Sequence, residues 1–505
     1  MNSLIAYDLG TGGIKASIIG EGGNILGESF LSCKTYYPHD KWCEQRPADW
    51  WKAVCMSTRE LFEKSGVRPS EIICAALSGH SLVTAPMDKD GNLITESVPI
   101  WCDMRADDMP DIFFKNVSYE DWYNITGNGD PAECYSIMKL MWMRKHLPDV
   151  YRNTRKVLGS KDFVNYMLTG RMCTDPSYAS GFGVFNLEAW NYEPNFFAAA
   201  GIDPAIFPEI APSDELIGRV TKDAAAQTGL PEGLPVACGG VDNMCMALGA
   251  VGVEDGKAYT SLGSSSWIAV NSRKPILDVK TRPFVFAHAQ RGRYTSAVSI
   301  FSAGNSYRWV RDTMFPDLSF EEMDALAESV PVGSGGIIFN PSLAGGSAQE
   351  PSPNMRGAFI GLSLGSTRAQ LIRASMEGIA MALNAALDIL KLHTGLDKAM
   401  LICGGGSKSA LWRRIFADIY GMDIVKTNVD QGAAALGAAA LAANAAGLWK
   451  GYGMIGSFHK PLSIEKPVRE NVEKYQRLFQ VFENLAGFAA GVGDEMNRLQ
   501  KQGVW

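Results

Sequence analysis

The sequence predicts an α/β protein of two similar lobes, and three observations carry that expectation. Its 505 residues are long for one hydrophobic core, which argues for two domains. Buried strands such as Glu71–Ser78 and Leu234–Ala237 are interspersed with longer helical patterns. A small-residue turn near the start of the chain is used again near its middle.

The first copy of that turn lies in Ile5–Ile19. An apolar run ends in Asp8, Gly10-Thr11-Gly12-Gly13 follow, and a second apolar run leaves from Ile14, which reads as a β-hairpin with a glycine-rich tip. Glycine lets backbone N–H groups approach a ligand closely, and with the Thr11 hydroxyl and Lys15 nearby the turn suits phosphate oxygens. Asp8 would stand beside that phosphate, where Mg²⁺ is useful. An ordinary tight hairpin with an exposed Asp is the other reading of the motif taken alone.

A third strand is expected over 24–30 and a helix from Pro47 towards Lys64. The strand Glu71–Ser78 delivers Gly79-His80-Ser81-Leu82 to the C-terminal edge of a sheet, where α/β proteins bind ligands. His80 is there either a ligand contact or a satisfied loop histidine. In Pro99–Arg105, Trp101, Asp103 and Arg105 alternate along a segment read as extended, so they point the same way. An indole can cover a sugar face while Asp and Arg bond its hydroxyls; the alternative is a core Trp with a rim ion pair. Helices are expected over 136–145, 160–168 and 195–200. Leu234–Asn243 is a buried strand, then Gly239-Gly240, then Asp242-Asn243 before an Ala- and Met-rich helix. Asp242 can accept a proton from a substrate hydroxyl, or simply cap the helix.

Gly252–Gly256 is the best boundary between halves, giving domains 1–252 and 253–505. Lys257–Val270 repeats the strand–turn–strand pattern, with Gly263 and Ser264 in its turn. Ala303-Gly304-Asn305-Ser306 precedes a helical pattern over 307–314. Gln370–His393 reads as one long helix. Leu401–Ser409 ends a strand in Gly404-Gly405-Gly406 and opens a helix over 410–420, which sets a ligand at a helix N-terminus. A further Ala-rich helix begins near Asp430, and 468–502 is an amphipathic packing helix.

The net charge of −7 is spread along the chain, so no basic face for nucleic acid is expected. No apolar stretch reaches the ~20 residues that span a bilayer. The first strand begins so near Met1 that no signal peptide fits, which places the protein in the cytoplasm. Ten cysteines without a Cys-x-x-Cys pair read as reduced core residues. Six histidines show no zinc spacing, while Mg²⁺ carried by a substrate needs no protein cage.

These pieces, in this order, resemble the FGGY carbohydrate kinases of the actin/hexokinase/Hsp70 superfamily across nearly the whole chain. Gly357–Leu362 followed by Gln370–Glu377 is similar to the family's C-terminal signature. Ser136-Ile-Met-Lys139-Leu140-Met-Trp142 resembles its N-terminal signature, with Cys134 departing at the first position. The resemblance implies two ribonuclease-H-like domains with an ATP cleft between them, sugar and catalytic base on the first and nucleotide on the second. It assigns Asp242 as general base with Asn243 beside it, and Asp8 to Mg²⁺. Gly10, Thr11, Gly12 and Lys15 fall in the first phosphate turn and Gly263 and Ser264 in the second. Gly304 and Gly404, Gly405, Gly406 and Ser409 fall on the adenosine side. His80, Ser81, Leu82, Trp101 and Asp103 fall in the sugar site. A homodimer accords with the family, though no segment demonstrates one.

The pattern looks most like the xylulose-kinase branch, so D-xylulose or a related pentulose is the first expectation. That branch typically carries Gln-Met-His where this chain has His80-Ser81-Leu82, and an apolar Leu82 removes a hydroxyl partner worth roughly 1–3 kcal/mol. The loop Gly346–Pro353, with Gln349-Glu350, also departs from the usual form. Gluconate, L-xylulose or ribulose, a polyol or a deoxy-sugar therefore stay open. A sugar sensor without catalysis would have lost Asp8 or Asp242, and a chaperone-like ATPase would lack Trp101 and Asp103.

Overall fold

The computed structural model describes residues 2–347 and 349–504. It divides into two compact units. The first runs to Glu254 and takes in Asn271–Thr295 and Gly432–His459; the second comprises Asp255–Val270, Ser296–Gln431 and the chain from Lys460. The first break falls inside the Gly252–Gly256 stretch, and two segments of the C-terminal half of the sequence fold with the first unit.

The first unit is built on strands β1 (Ser3–Gly10), β2 (Gly13–Gly20), β3 (Ile25–Ser32), β4 (Ile72–Gly79), β5 (Leu216–Arg219), β6 (Pro235–Ala237) and β7 (Gly240–Val241). Their order is β3-β2-β1-β4-β6-β5, with β7 also beside β4. β1 and β2 form the expected hairpin, antiparallel from Ser3↔Gly20 to Gly10↔Gly13. Gly13 is obligatory there, because a Cβ would lie 2.3 Å from the Leu31 carbonyl oxygen. Ile5, Tyr7, Leu9, Ile14 and Leu77 are fully buried, so the continuous apolar runs are central strands covered on both faces.

The second unit repeats the plan. Its strands β8 (Ala258–Leu262), β9 (Ser266–Ser272), β10 (Tyr294–Ile300), β11 (Ala399–Cys403), β12 (Asp423–Thr427) and β13 (Pro461–Glu465) run in the order β10-β9-β8-β11-β12-β13. As β1 is antiparallel to β2 and parallel to β4, so β8 is antiparallel to β9 and parallel to β11. The two small-residue turns thus occupy equivalent places in two sheets of the same order. The α/β two-domain architecture expected from the sequence is the one present.

Helices Asp242–Val251 and Ala433–Ala445 lie together in the first unit. A Cβ on Gly249 would fall 1.8 Å from the Ala433 carbonyl, and one on Gly437 would fall 2.0 Å from that of Cys245. The Ala-rich run is therefore a buried crossing where two backbones meet. Among the described residues no helix is long and apolar enough to cross a membrane. The ten cysteines are free thiols.

Candidate active site

The strand register of the first unit brings two carboxylates towards one place. Asp8 on β1 pairs with Ser78 on β4, and Ser78 pairs with Gly240 on β7, two residues before Asp242. The Ser78 hydroxyl donates to Asp8 Oδ1 at 2.9 Å. Burial raises the Asp8 pKa, against the opposing pull of Ser78 and Lys15. Lys15 faces Asp8 across the hairpin and pairs with Glu28 at 2.7 Å.

Asp242 begins the helix Asp242–Val251, and Val241 stands at the cap position without a side-chain cap. Its carboxylate is therefore not the helix cap; Oδ1 accepts from the Asn243 N–H at 2.8 Å. Burial, reinforced by the neighbouring negative charge of Asp8, pushes its pKa up to about 7. The turn that presents it depends on glycine. Gly239 has φ 78°, and a Cβ there would lie 2.1 Å from the Leu77 carbonyl.

His80 is buried, its Nδ1 is 3.0 Å from the Leu9 carbonyl, and its ring meets Trp50 edge-on at 5.4 Å. Burial pushes its pKa down to about 4, so it stays neutral at physiological pH. Ser81 and Leu82 are partly exposed, and Leu82 adopts a left-handed φ of 61°, a conformation a bulky residue holds only under restraint. The restraint is Lys139, whose ammonium donates to the Leu82 carbonyl at 2.8 Å and to the Ile100 carbonyl at 2.7 Å. One buried lysine of the N-terminal signature thus ties the His80-Ser81-Leu82 loop to the Trp101 loop.

The expected extended geometry of Pro99–Arg105 is corrected. The segment turns, with the Asp103 N–H bonded to the Ile100 carbonyl at 3.0 Å, so alternate side chains do not share a direction. Trp101 is 43% exposed and its indole N–H donates to the Thr11 hydroxyl at 2.8 Å, linking it to the first glycine turn. Asp103 is fully buried and engaged by Arg105 at 2.8 and 2.7 Å and by the Cys43 N–H at 2.7 Å. Arg105 also reaches Glu44 and lies over Trp42. The Trp is not core and the ion pair is not at a rim, so neither sequence reading holds whole.

The second unit contains a pocket of about 560 Å³ whose lining includes Gly263, Ser264, Gly304, Gly405, Gly406 and Ser409. Gly304 approaches the Gly263 turn so closely that a Cβ would lie 2.4 Å from the Gly263 carbonyl. Ser409 caps the helix Ala410–Tyr420 by accepting from the Trp412 N–H at 3.0 Å. Gly404, with φ 91°, does not line the pocket; its N–H bonds Asp430 Oδ1 at 2.9 Å. Sequence reading missed the aromatic wall, in which Tyr307 stacks on Phe320 and lies 4.8 Å from Trp412. It also missed Glu321, Asp324, Arg308 and Lys408 on the lining. Only the interval from Gly304 to Tyr307, one helical turn, could have signalled any of it.

Among the described residues no cluster of three or more His, Cys, Asp or Glu side chains could cage a metal ion. Two partly accessible carboxylates, Asp8 and Asp242, with a glycine-rich turn are nonetheless the donor set that suits Mg²⁺ carried on a polyphosphate. In the loop Gly346–Pro353, Ala348 lies outside the described residues. Glu350 there accepts from the Ser342 hydroxyl at 2.8 Å and the Ser347 N–H at 2.6 Å, and so braces the loop itself.

Family models match the chain in two parts. The FGGY family of carbohydrate kinases, N-terminal domain, matches residues 3–249, and the C-terminal domain of the same family matches residues 258–446. The chain is 28% identical to the xylulose kinase of Bacillus subtilis (strain 168) over 488 residues, which cover 96% of this chain and 97% of that one. It is 26% identical to the gluconokinase of Bacillus licheniformis over 499 residues, covering 96% and 95% respectively. The solved xylulose kinase from Rhodospirillum rubrum aligns with a TM-score of 0.87 at 27% identity, over 98% of this chain and 100% of that one. The gluconate kinase from Lactobacillus acidophilus aligns with a TM-score of 0.91 at 24% identity, over 98% and 99%, a likeness of fold.

Proposed function

The chain belongs to the FGGY family of carbohydrate kinases, and from that premise we propose that it transfers the γ-phosphate of ATP to a hydroxyl of D-xylulose or a related pentulose. The observation that carries the reading is Asp242, a largely desolvated carboxylate with one accessible edge on a glycine-framed turn, its pKa pushed up to about 7. A base with that pKa is ionised in half or more of the molecules at neutral pH, yet basic enough to take a hydroxyl proton.

Phosphoryl transfer asks little covalent work of the protein, so positioning and charge stabilisation dominate. Asp242 accepts the proton of the attacking hydroxyl, a contribution of about 10²–10⁴-fold. Trp101 offers its exposed indole to the sugar, Ser81 and Leu82 frame it, and Asp103 holds the Trp101 turn from beneath. Gly10, Thr11, Gly12 and Lys15 receive phosphate oxygens. The second-unit pocket takes the nucleotide, its aromatic wall suited to a purine base and its Gly263–Ser264 turn to phosphates. Asp8 is the residue that would hold Mg²⁺, which when bound offsets the charge of the phosphates. We infer a cytoplasmic enzyme from its likeness to the family's sugar kinases, and a homodimer accords with the same resemblance.

Gluconate is the second reading, favoured by Leu82 at a position where the xylulose branch carries a hydroxyl-binding histidine. Coupled ADP release with Mg·ATP against pentuloses, hexuloses, polyols and aldonic acids separates them. Saturable turnover with one pentulose is expected. Turnover confined to an aldonic acid overturns the pentulose, and no acceptor-dependent ADP from any sugar overturns the kinase.

A further inference from the structure

Lys161, Asp162 and Asp175 are fully buried in the first unit. Lys161 Nζ lies 2.6 Å from Asp162 Oδ1 and 3.0 Å from Asp175 Oδ1, and it donates to the Cys238 carbonyl at 3.3 Å. Removing three charges from water is costly, and well-packed apolar residues in place of a buried ion pair are often as stable or more so. Stability alone is therefore a poor account of the cluster.

Helix capping accounts for part of it, since Asp175 accepts from the N–H groups of Ser177 and Tyr178. It leaves Lys161 and the Ser177 hydroxyl unexplained. That hydroxyl gives its one proton to Asp175 Oδ2 at 2.5 Å, which leaves its lone pairs to accept, and it accepts from the Val241 N–H at 3.0 Å. Ser213 also donates to Asp175 Oδ2, at 2.8 Å, and so fixes the carboxylate plane. At the other end of the same turn, Cys238 accepts from Lys161 and from Asn165 Nδ2, the latter at 2.7 Å. Between these anchors lie Gly239 and Gly240, with no side chains to hold the backbone themselves. Asp242 follows at once.

We propose that Ser177, oriented by the Lys161–Asp175 pair, is a positioning residue for Asp242, fixing the backbone from which the carboxylate projects. The inference rests on the reading of Asp242 as the general base. Ser177→Ala leaves the Val241 N–H without its acceptor and frees the turn to shift.

The test is steady-state kinetics of the full chain with its best acceptor, alongside Ser177→Thr and Asp242→Asn. Ser177→Ala should lose about 10- to 100-fold in kcat, the scale of a small misplacement of a reacting group, with both KM values held. Ser177→Thr, which keeps the hydroxyl, should restore kcat. If Ser177→Ala does not fold, Ser177→Cys keeps the volume with a weaker acceptor and is read in the same way. A lowered Tm with kcat intact, or a change confined to KM, overturns the proposal. An inert Asp242→Asn beside a fully active Ser177→Ala sinks the positioning role alone, whereas an active Asp242→Asn sinks the base assignment beneath it.

Discussion

Asp242→Asn should make the protein inactive and, above neutral pH, more stable. Burial and Asp8 raise the carboxyl pKa from the ordinary 3.8 to about 7. At full ionisation that rise corresponds to about 4 kcal/mol against the folded state. Asp242 keeps an accessible edge, so solvent takes up part of the charge and about 2 kcal/mol is the expected size. The unfolded chain ionises this group above about pH 4, while the folded protein retains the proton until about pH 7. Stability contributed by the protonated group is therefore full below pH 4, declines between the two values and is gone above 7. Asparagine keeps the shape and cannot ionise, so its advantage over the parent should be absent at pH 4 and full at pH 8. Thermal unfolding in chelator-treated buffer at both pH values reads this out, with a rise of about 3 °C expected at pH 8 for a unit of this size. The same variant should lose 10²–10⁴-fold in turnover by ADP release. An equal Tm difference at both pH values refutes the buried-charge account, and retained turnover refutes the base.

Three further outcomes follow from the geometry. Lys139→Met removes both bonds that join the Leu82 and Ile100 carbonyls, so the sugar KM should rise about tenfold with the ATP KM unchanged. Burial also pushes the Lys139 pKa down to about 8; above that pH the neutral amine keeps two N–H donors and loses only their charge, so the sugar KM of the parent should climb slightly, and an unchanged sugar KM in Lys139→Met contradicts the tie. Gly304→Ala sets a Cβ 2.4 Å from the Gly263 carbonyl, and the ATP KM should rise while the sugar KM holds, a result that equal effects on both would reverse. Gly437→Ala sets one 2.0 Å from the Cys245 carbonyl and should cost about 1–3 kcal/mol by denaturant titration, with an unchanged midpoint counting against a close backbone crossing.

What could be read from the chain depended on how local its cause was. The turns at Gly10–Gly13 and Gly263–Ser265 were legible because glycine and hydroxyl residues interrupt apolar runs at one spot, and the paired strands follow from that interruption. Gly404–Ser409 was legible for the same reason. Trp101, Asp103 and Arg105 were misread because alternation was assumed, whereas a hydrogen bond back to Ile100 bends the segment and Arg105 draws Asp103 inward. The wall of Tyr307, Phe320 and Trp412 joins side chains distant in sequence, which no window can see. Lys161 and Asp162 left a trace that went unused: adjacent opposite charges on a helix whose neighbours Phe163, Val164 and Leu168 are core residues.

The meeting of Gly249 and Gly437 bears on how this gene can be cut. A fragment ending at the visible midpoint of the sequence lacks Ala433–Ala445, and without that helix the glycine face of Asp242–Val251 has nothing to lie against. Separately expressed halves would each expose surface that the intact polypeptide keeps dry. The first lobe is therefore complete only after the ribosome has passed His459, so its folding must wait on the synthesis of most of the second.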